Sequence, residues 1–119
     1  MWLTDLLDEL GRCPEYAKEE DIDILSEIAL AKAKQFLEEV SCHVNDRPEI
    51  YPMEEEECCI AIDFRVSEKK SGILFVIEHD GSGKLFHRTE NSSGILRVDD
   101  ASDLLKEGGF LELDRVGIR

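Results

Sequence analysis

An α+β fold, a two-layer domain in which two N-terminal helices pack on a mainly antiparallel sheet of about four to five strands, is predicted by three features of this 119-residue chain. Apolar residues recur at helical spacing as far as Val40, and from Cys58 onward they alternate at period two. Two apolar runs, Ile73 to Ile77 and Leu85 to His87, then flank the polar, glycine-rich segment Glu78-His79-Asp80-Gly81-Ser82-Gly83. Asp-Gly and Ser-Gly supply residues that accept positive φ, as a tight antiparallel hairpin requires.

The first helix is carried by Trp2, Leu3, Leu6, Leu7 and Leu10, with Asp5, Asp8 and Glu9 opposite, and Gly11 and Pro14 are expected to end it. A second helix should start near Asp21, where Asp21 or Asp23 can cap free N–H groups, and run to about Val40. Leu25, Ala29, Ala33, Phe36, Leu37 and Val40 form its stripe, and Ile24, Ile28 and Ala31 widen it, so more than one neighbour is expected to cover this helix.

In Arg47-Pro48-Glu49-Ile50-Tyr51-Pro52 the prolines bias the residues before them to extended conformations, which suits an edge strand. Glu54 to Glu57 read as a solvated turn. Cys58, Ile60, Ile62, Phe64 and Val66 then alternate with Cys59, Ala61, Asp63 and Arg65, a strand with one buried face. Ile73 to Ile77 is apolar at both parities, so both of its faces should lose water, with the C-terminal segment or a second copy as the cover.

After the hairpin, Asn91-Ser92-Ser93 lies in a polar loop and Ile95 to Val98 form a short strand. Asp99 or Asp100 can cap a short helix that Gly108-Gly109 stops, and Phe110, Leu111 and Leu113 can form a last strand, with residues 117–119 frayed. The expected core draws on Ile60, Ile62, Phe64, Phe75, Ile77, Phe86, Phe36 and Leu37. No internal repeat or low-complexity linker divides the chain, so residues 1–119 are read as one domain.

Charge narrows the classes of partner. The formal net charge is −14, and residues 1–60 hold 17 acids against 5 bases, whereas residues 61–119 hold 11 against 9. A field of that sign repels phosphate backbones, which argues against nucleic acid, and attracts basic proteins. The residues for such a contact are Glu54, Glu55, Glu56 and Glu57, with Glu19, Glu20, Asp23 and Glu27 around the second helix. No run approaches a membrane span, and the N-terminus has acids by residue 5 in place of a basic leader, so a cytoplasmic protein with reduced thiols is expected.

Catalytic and metal motifs are sparse. Neither Cys58-Cys59 nor Cys42-His43 has the paired spacing of a zinc site, and Asp80-Gly81-Ser82-Gly83 lacks the alternating acids of a calcium loop. No metal, cofactor or catalytic residue is assigned. A small-ligand or enzymatic site near His79 or His87 is the competing reading, since a fold can assemble a site that no local motif announces.

The segments Ala29 to Leu37, Pro48 to Pro52 and Ile77 to Lys84 resemble those of a group of small uncharacterised bacterial proteins. These share a Leu-rich helix, an Ala-rich helix ending in Phe-Leu, a Pro-x-x-x-Pro strand entry and an Asp-Gly hairpin. The resemblance implies a helix-on-sheet fold and carries over no functional residue. Together these readings favour a non-enzymatic interaction or regulatory protein of inhibitor or immunity type, homodimeric or bound to a basic partner.

Overall fold

The computed structural model describes residues 2–19, 27–54, 58–66, 71–89 and 93–118. Two helices, α1 (Leu3–Glu19) and α2 (Glu27–Ser41), precede five strands: β1 (Glu49–Glu54), β2 (Cys58–Val66), β3 (Ser71–Ile77), β4 (Gly83–Arg88) and β5 (Ser93–Val98). A 3-10 turn (Ala101–Asp103) and a wide π turn (Leu105–Gly109) then lead into α3 (Phe110–Val116). The strands pair in chain order, β1-β2-β3-β4-β5, and every pair is antiparallel. The predicted α+β architecture is therefore what the chain adopts.

Register shows which side chains share a face, because directly paired residues point the same way. Ile62 lies opposite Ile50 and Phe75, Phe75 opposite Leu85, and Leu85 opposite Leu96. This row belongs to the same apolar cluster as Leu6 and Leu10 of α1, Phe36 and Leu37 of α2, and Leu113 of α3. All three helices thus cover one face of the sheet. Small Ala29 and Ala33, both fully buried, let α2 approach closely, while the ring of Phe36 lies 4.6 Å from that of Phe75. Each large apolar side chain so buried contributes about 1.5–3 kcal/mol relative to exposure.

Several expectations are corrected. Helix α1 does not end at Gly11 or Pro14 but continues to Glu19. Gly11 keeps a helical backbone, and Glu15, Ala17, Lys18 and Glu19 are strong helix formers, so proline costs a hydrogen bond without terminating the helix. In α2, Ile28 is 55% exposed and Ala31 is exposed, so the buried stripe is narrower than the apolar one. The expected start of α2, near Asp21, lies outside the described residues, but its end near Val40 holds.

The C-terminal segment departs most. Gly108-Gly109 interrupts the helical path without stopping it: the hydrogen bonding widens to a π turn, and the chain resumes as α3 where a strand over Phe110, Leu111 and Leu113 was expected. Leu111 is exposed while Leu113 and Val116 are buried, a spacing of three that belongs to a helix. Nor are Gly117 and Ile118 frayed; Arg119 lies outside the described residues. Gly117 adopts φ 81°, its left-handed conformation lets the Ile118 N–H reach the Leu113 carbonyl at 3.0 Å, and Ile118 is buried.

Candidate interaction surface

The strand expected to bury one face buries both. Cys59, Ala61 and Asp63 of β2 are buried although they point away from the helices, and so is Val76 of β3. Two rows cross this second face. Tyr51, Ala61, Val76, Lys84 and Arg97 form one; Glu49, Asp63, Leu74, Phe86 and Ile95 form the other. Among the described residues no helix lies on this face.

Phe86 is the informative correction here. It was expected in the core, yet its parity sets it on the open face, half-buried, beside Ile95, which is 58% exposed. Sequence patterning did flag the surface, through the both-parity apolar run Ile73 to Ile77, but one of its proposed covers is removed: α3 packs against β3 from the helical side.

The rim of the face is polar and carries both signs of charge. On the β1–β2 side stand exposed Glu49 and buried Asp63, whose Oδ2 accepts a hydrogen bond from the Tyr51 hydroxyl at 3.3 Å. On the β4–β5 side stand Lys84, Arg88 and Arg97. Lys84 is held by Glu78 at 2.6 Å, and this bond, with one from the Ser82 hydroxyl, lowers the Glu78 pKa. Arg88 and Arg97 are exposed and have no ion-pair partner among the described residues.

The histidines do not converge. His79 sits in the β3–β4 turn, whereas His87 pairs with Ile73 at the far end of the hairpin, so at about 3.4 Å per residue the two are separated by roughly 13 Å or more. His87 points to the helical side. Its Nδ1 lies 3.4 Å from Oε2 of Glu112 on α3, and Arg115 reaches the other carboxylate oxygen at 3.2 Å. Its Nε2 is pressed against the backbone of β5, where a Cβ on Gly94 would approach to 2.5 Å. Among the described residues neither His87 Nδ1 nor Glu112 Oε2 makes a hydrogen bond, and an imidazole walled in this way offers a substrate no approach from β5.

His43 is exposed, edge-on to Phe110 with ring centroids 4.6 Å apart, at the mouth of a half-open groove of about 420 Å³ floored by Val44, Phe110, Leu113 and Ile118. Asp114 stands on the other wall. Among the described residues no group of three or more His, Cys, Asp or Glu side chains is arranged to hold a metal ion, and no helix is long and apolar enough to cross a membrane.

Of the acids expected to meet a basic partner, Glu19 closes α1, Glu27 opens α2 and is exposed, and Glu54 ends β1 opposite Cys58. Glu20, Asp23, Glu55, Glu56 and Glu57 lie outside the described residues. Comparison with protein-family models, curated proteins and solved structures finds no match. The case for a function therefore rests on the surface itself.

Proposed function

We propose that this chain is a non-enzymatic protein-interaction module whose working surface is the open face of the sheet, and whose occupant is a protein face with an apolar centre. The observation that carries the reading is the group of half-buried Leu74 and Phe86 beside exposed Ile95, adjacent on one sheet face with no described helix over it. Antiparallel sheets commonly leave one face wet, but that face is then polar at alternate positions. Here Leu74, Phe86 and Ile95 put adjacent apolar side chains of three strands among the polar ones. A contiguous apolar patch with a polar rim marks a contact site in soluble proteins.

The test is size-exclusion chromatography of the tagged protein in its native extract. Wild type should elute above its 13.5 kDa monomer mass, and Ile95→Lys, which plants a charge on the exposed part of the face, should elute as monomer. Monomeric wild type, or a larger species indifferent to Ile95→Lys, would overturn the reading.

A second reading keeps the basic protein partner, on the helical layer. Asp5, Asp8, Glu27, Glu38 and Glu39 are all exposed there, and α2 has no base in its last turn to balance Glu38 and Glu39. Such a field speeds encounter with a cationic protein. Glu38→Lys with Glu39→Lys should then slow capture of that partner at low salt, and unchanged kinetics would remove these two acids from the contact.

A further inference from the structure

The outer edge of β5 is a surface separate from the open face, and we infer that it pairs antiparallel with the β5 edge of a second copy of this chain, joining the two sheets into one. Strand order leaves β1 and β5 as the edges of the sheet. In an antiparallel ladder, directly opposed residues alternate between pairs that exchange both backbone bonds and pairs that exchange none, so each strand offers alternate residues to its two neighbours. The phase is set where the β3–β4 hairpin turns. There the Glu78 N–H reaches the Ser82 carbonyl at 2.9 Å, which makes Glu78 and Ser82 a bonded pair.

Followed outward from that pair in the observed register, the alternation gives Lys84, Phe86 and Arg88 to β3, and it bonds Gly83, Leu85 and His87 to Val98, Leu96 and Gly94 of β5. The backbone N–H and C=O groups of Ser93, Ile95 and Arg97 therefore point outward. These are the exposed residues of β5, and among the described residues no strand pairs with them on that side. The same alternation carried across β2 turns Ile50, Pro52 and Glu54 of β1 outward. Pro52 has no N–H to offer, so the β1 edge is broken near its middle, and α1 packs along β1. One edge is blunted and the other is bare.

A second copy fits this edge because its open groups are arranged symmetrically about Ile95. A two-fold axis normal to the sheet brings the edge to itself antiparallel and keeps the helices of both copies on one side, which requires opposed residues to share a face. With Ile95 opposite its own copy, Ser93 faces Arg97 and Arg97 faces Ser93, and every outward N–H and C=O of these residues finds a partner. Sliding the register by two residues leaves Ser93 or Arg97 without one in the strand. Side chains agree with this register. On the open face the exposed Ile95 meets Ile95, and Arg97, the one charged residue of β5, faces a serine instead of another arginine. On the helical side Leu96 lies opposite Gly94, in a pair without backbone bonds, where opposed residues approach most closely. Helix α1, with its acids Asp5, Asp8 and Glu9, packs along β1 at the far edge, away from the junction.

The experiment uses the purified chain alone, by analytical ultracentrifugation over a dilution series, with circular dichroism and urea denaturation reporting the fold of each variant. One strand a side is a contact at the low end for protein pairs, so wild type should pass from dimer to monomer on dilution. Arg97→Pro removes an outward N–H where an edge strand tolerates proline, and should weaken the dimer by about tenfold or more. Arg97→Ser keeps that N–H and should change it by less than about twofold. Ser93→Glu sets an acid opposite Arg97 of the second copy and should tighten the dimer by about threefold, a gain that adding Arg97→Ser should remove. This gain carries the test if Arg97→Pro does not fold.

A chain that is monomeric at every concentration, Ser93→Glu included, would overturn the edge pairing and leave the open-face reading to its own test in the native extract. A dimer that a folded Arg97→Pro leaves intact overturns the edge pairing as well; if Phe86→Lys then dissociates it, the contact lies on the open face. A dimer lost in Arg97→Pro but not tightened by Ser93→Glu overturns the register centred on Ile95.

Discussion

At the scale of single residues, two glycines and one aspartate show how closely the turns are fitted. Gly83 opens β4 directly beneath Leu104, and a Cβ there would lie 2.6 Å from a Leu104 methyl and 3.2 Å from the Ala101 backbone. Gly83→Ala should therefore destabilise the fold by about 1–3 kcal/mol, read from urea denaturation. Gly81 has φ +88°, with a methyl of Ile28 only 2.8 Å from the place of a Cβ, so Gly81→Ala adds backbone strain to a crowded contact. Asp100 caps the 3-10 turn by accepting from the Ser102 N–H and receives Lys32 at 2.9 Å. The Lys32 ammonium and then the Ser102 N–H and hydroxyl bring its pKa from 3.8 to about 2. Between those values the unfolded chain binds the extra proton, so this contribution is complete above about pH 4 and fades as pH falls toward 2. Asp100→Asn should flatten that part of the acid limb in a pH series of unfolding midpoints. An unchanged limb would mean that other carboxylates govern it.

At the scale of elements, the hairpin, the edge strand and the buried stripe of α2 were legible because each follows from local chemistry. Gly81 takes the positive φ that Asp-Gly predicts, Pro48 and Pro52 lie at or before the edge strand β1, and Ala29, Ala33, Phe36, Leu37 and Val40 share one helical face. What was not legible depended on tertiary partners. Gly108-Gly109 carries the same letters whether it ends a helix or bends one; here Gly109 is locked by the Leu104 carbonyl, which would lie 2.8 Å from a Cβ. Phe86 resembles a core residue in composition, and only the register with Leu74 and Ile95 sets it outside. The second sheet face was half visible: apolar residues at both parities of β3 announced a second dry face, but which residues of the other strands share it needs the strand order. Leu113→Ala tests whether α3 is integral. Leu113 is 2% exposed and belongs to the central cluster, so the substitution should cost about 2–5 kcal/mol in chemical denaturation. A loss below about 1 kcal/mol would make α3 an appendage.

At the scale of the whole molecule, the apolar core lies on the helix-covered side of the sheet. Every large side chain that is fully buried on the sheet and faces the helices belongs to one cluster, while Ile95 on the opposite face contributes little to it. Ile95→Lys should hence leave the urea midpoint of the isolated monomer within about 0.5 kcal/mol of wild type, a separation of folding from association that a core residue does not permit. The strand order has a further consequence, in time rather than in space. Because each strand pairs with the one before it in the chain, the sheet needs no crossover and closes only short loops, so pairing can spread outward from the β3–β4 hairpin one neighbour at a time. The helices come first from the chain's N-terminus yet need a sheet already assembled to cover. Folding rates should therefore respond strongly to substitutions at Phe75 or Leu85 and weakly to those at Leu6, whose loss should appear mainly as faster unfolding.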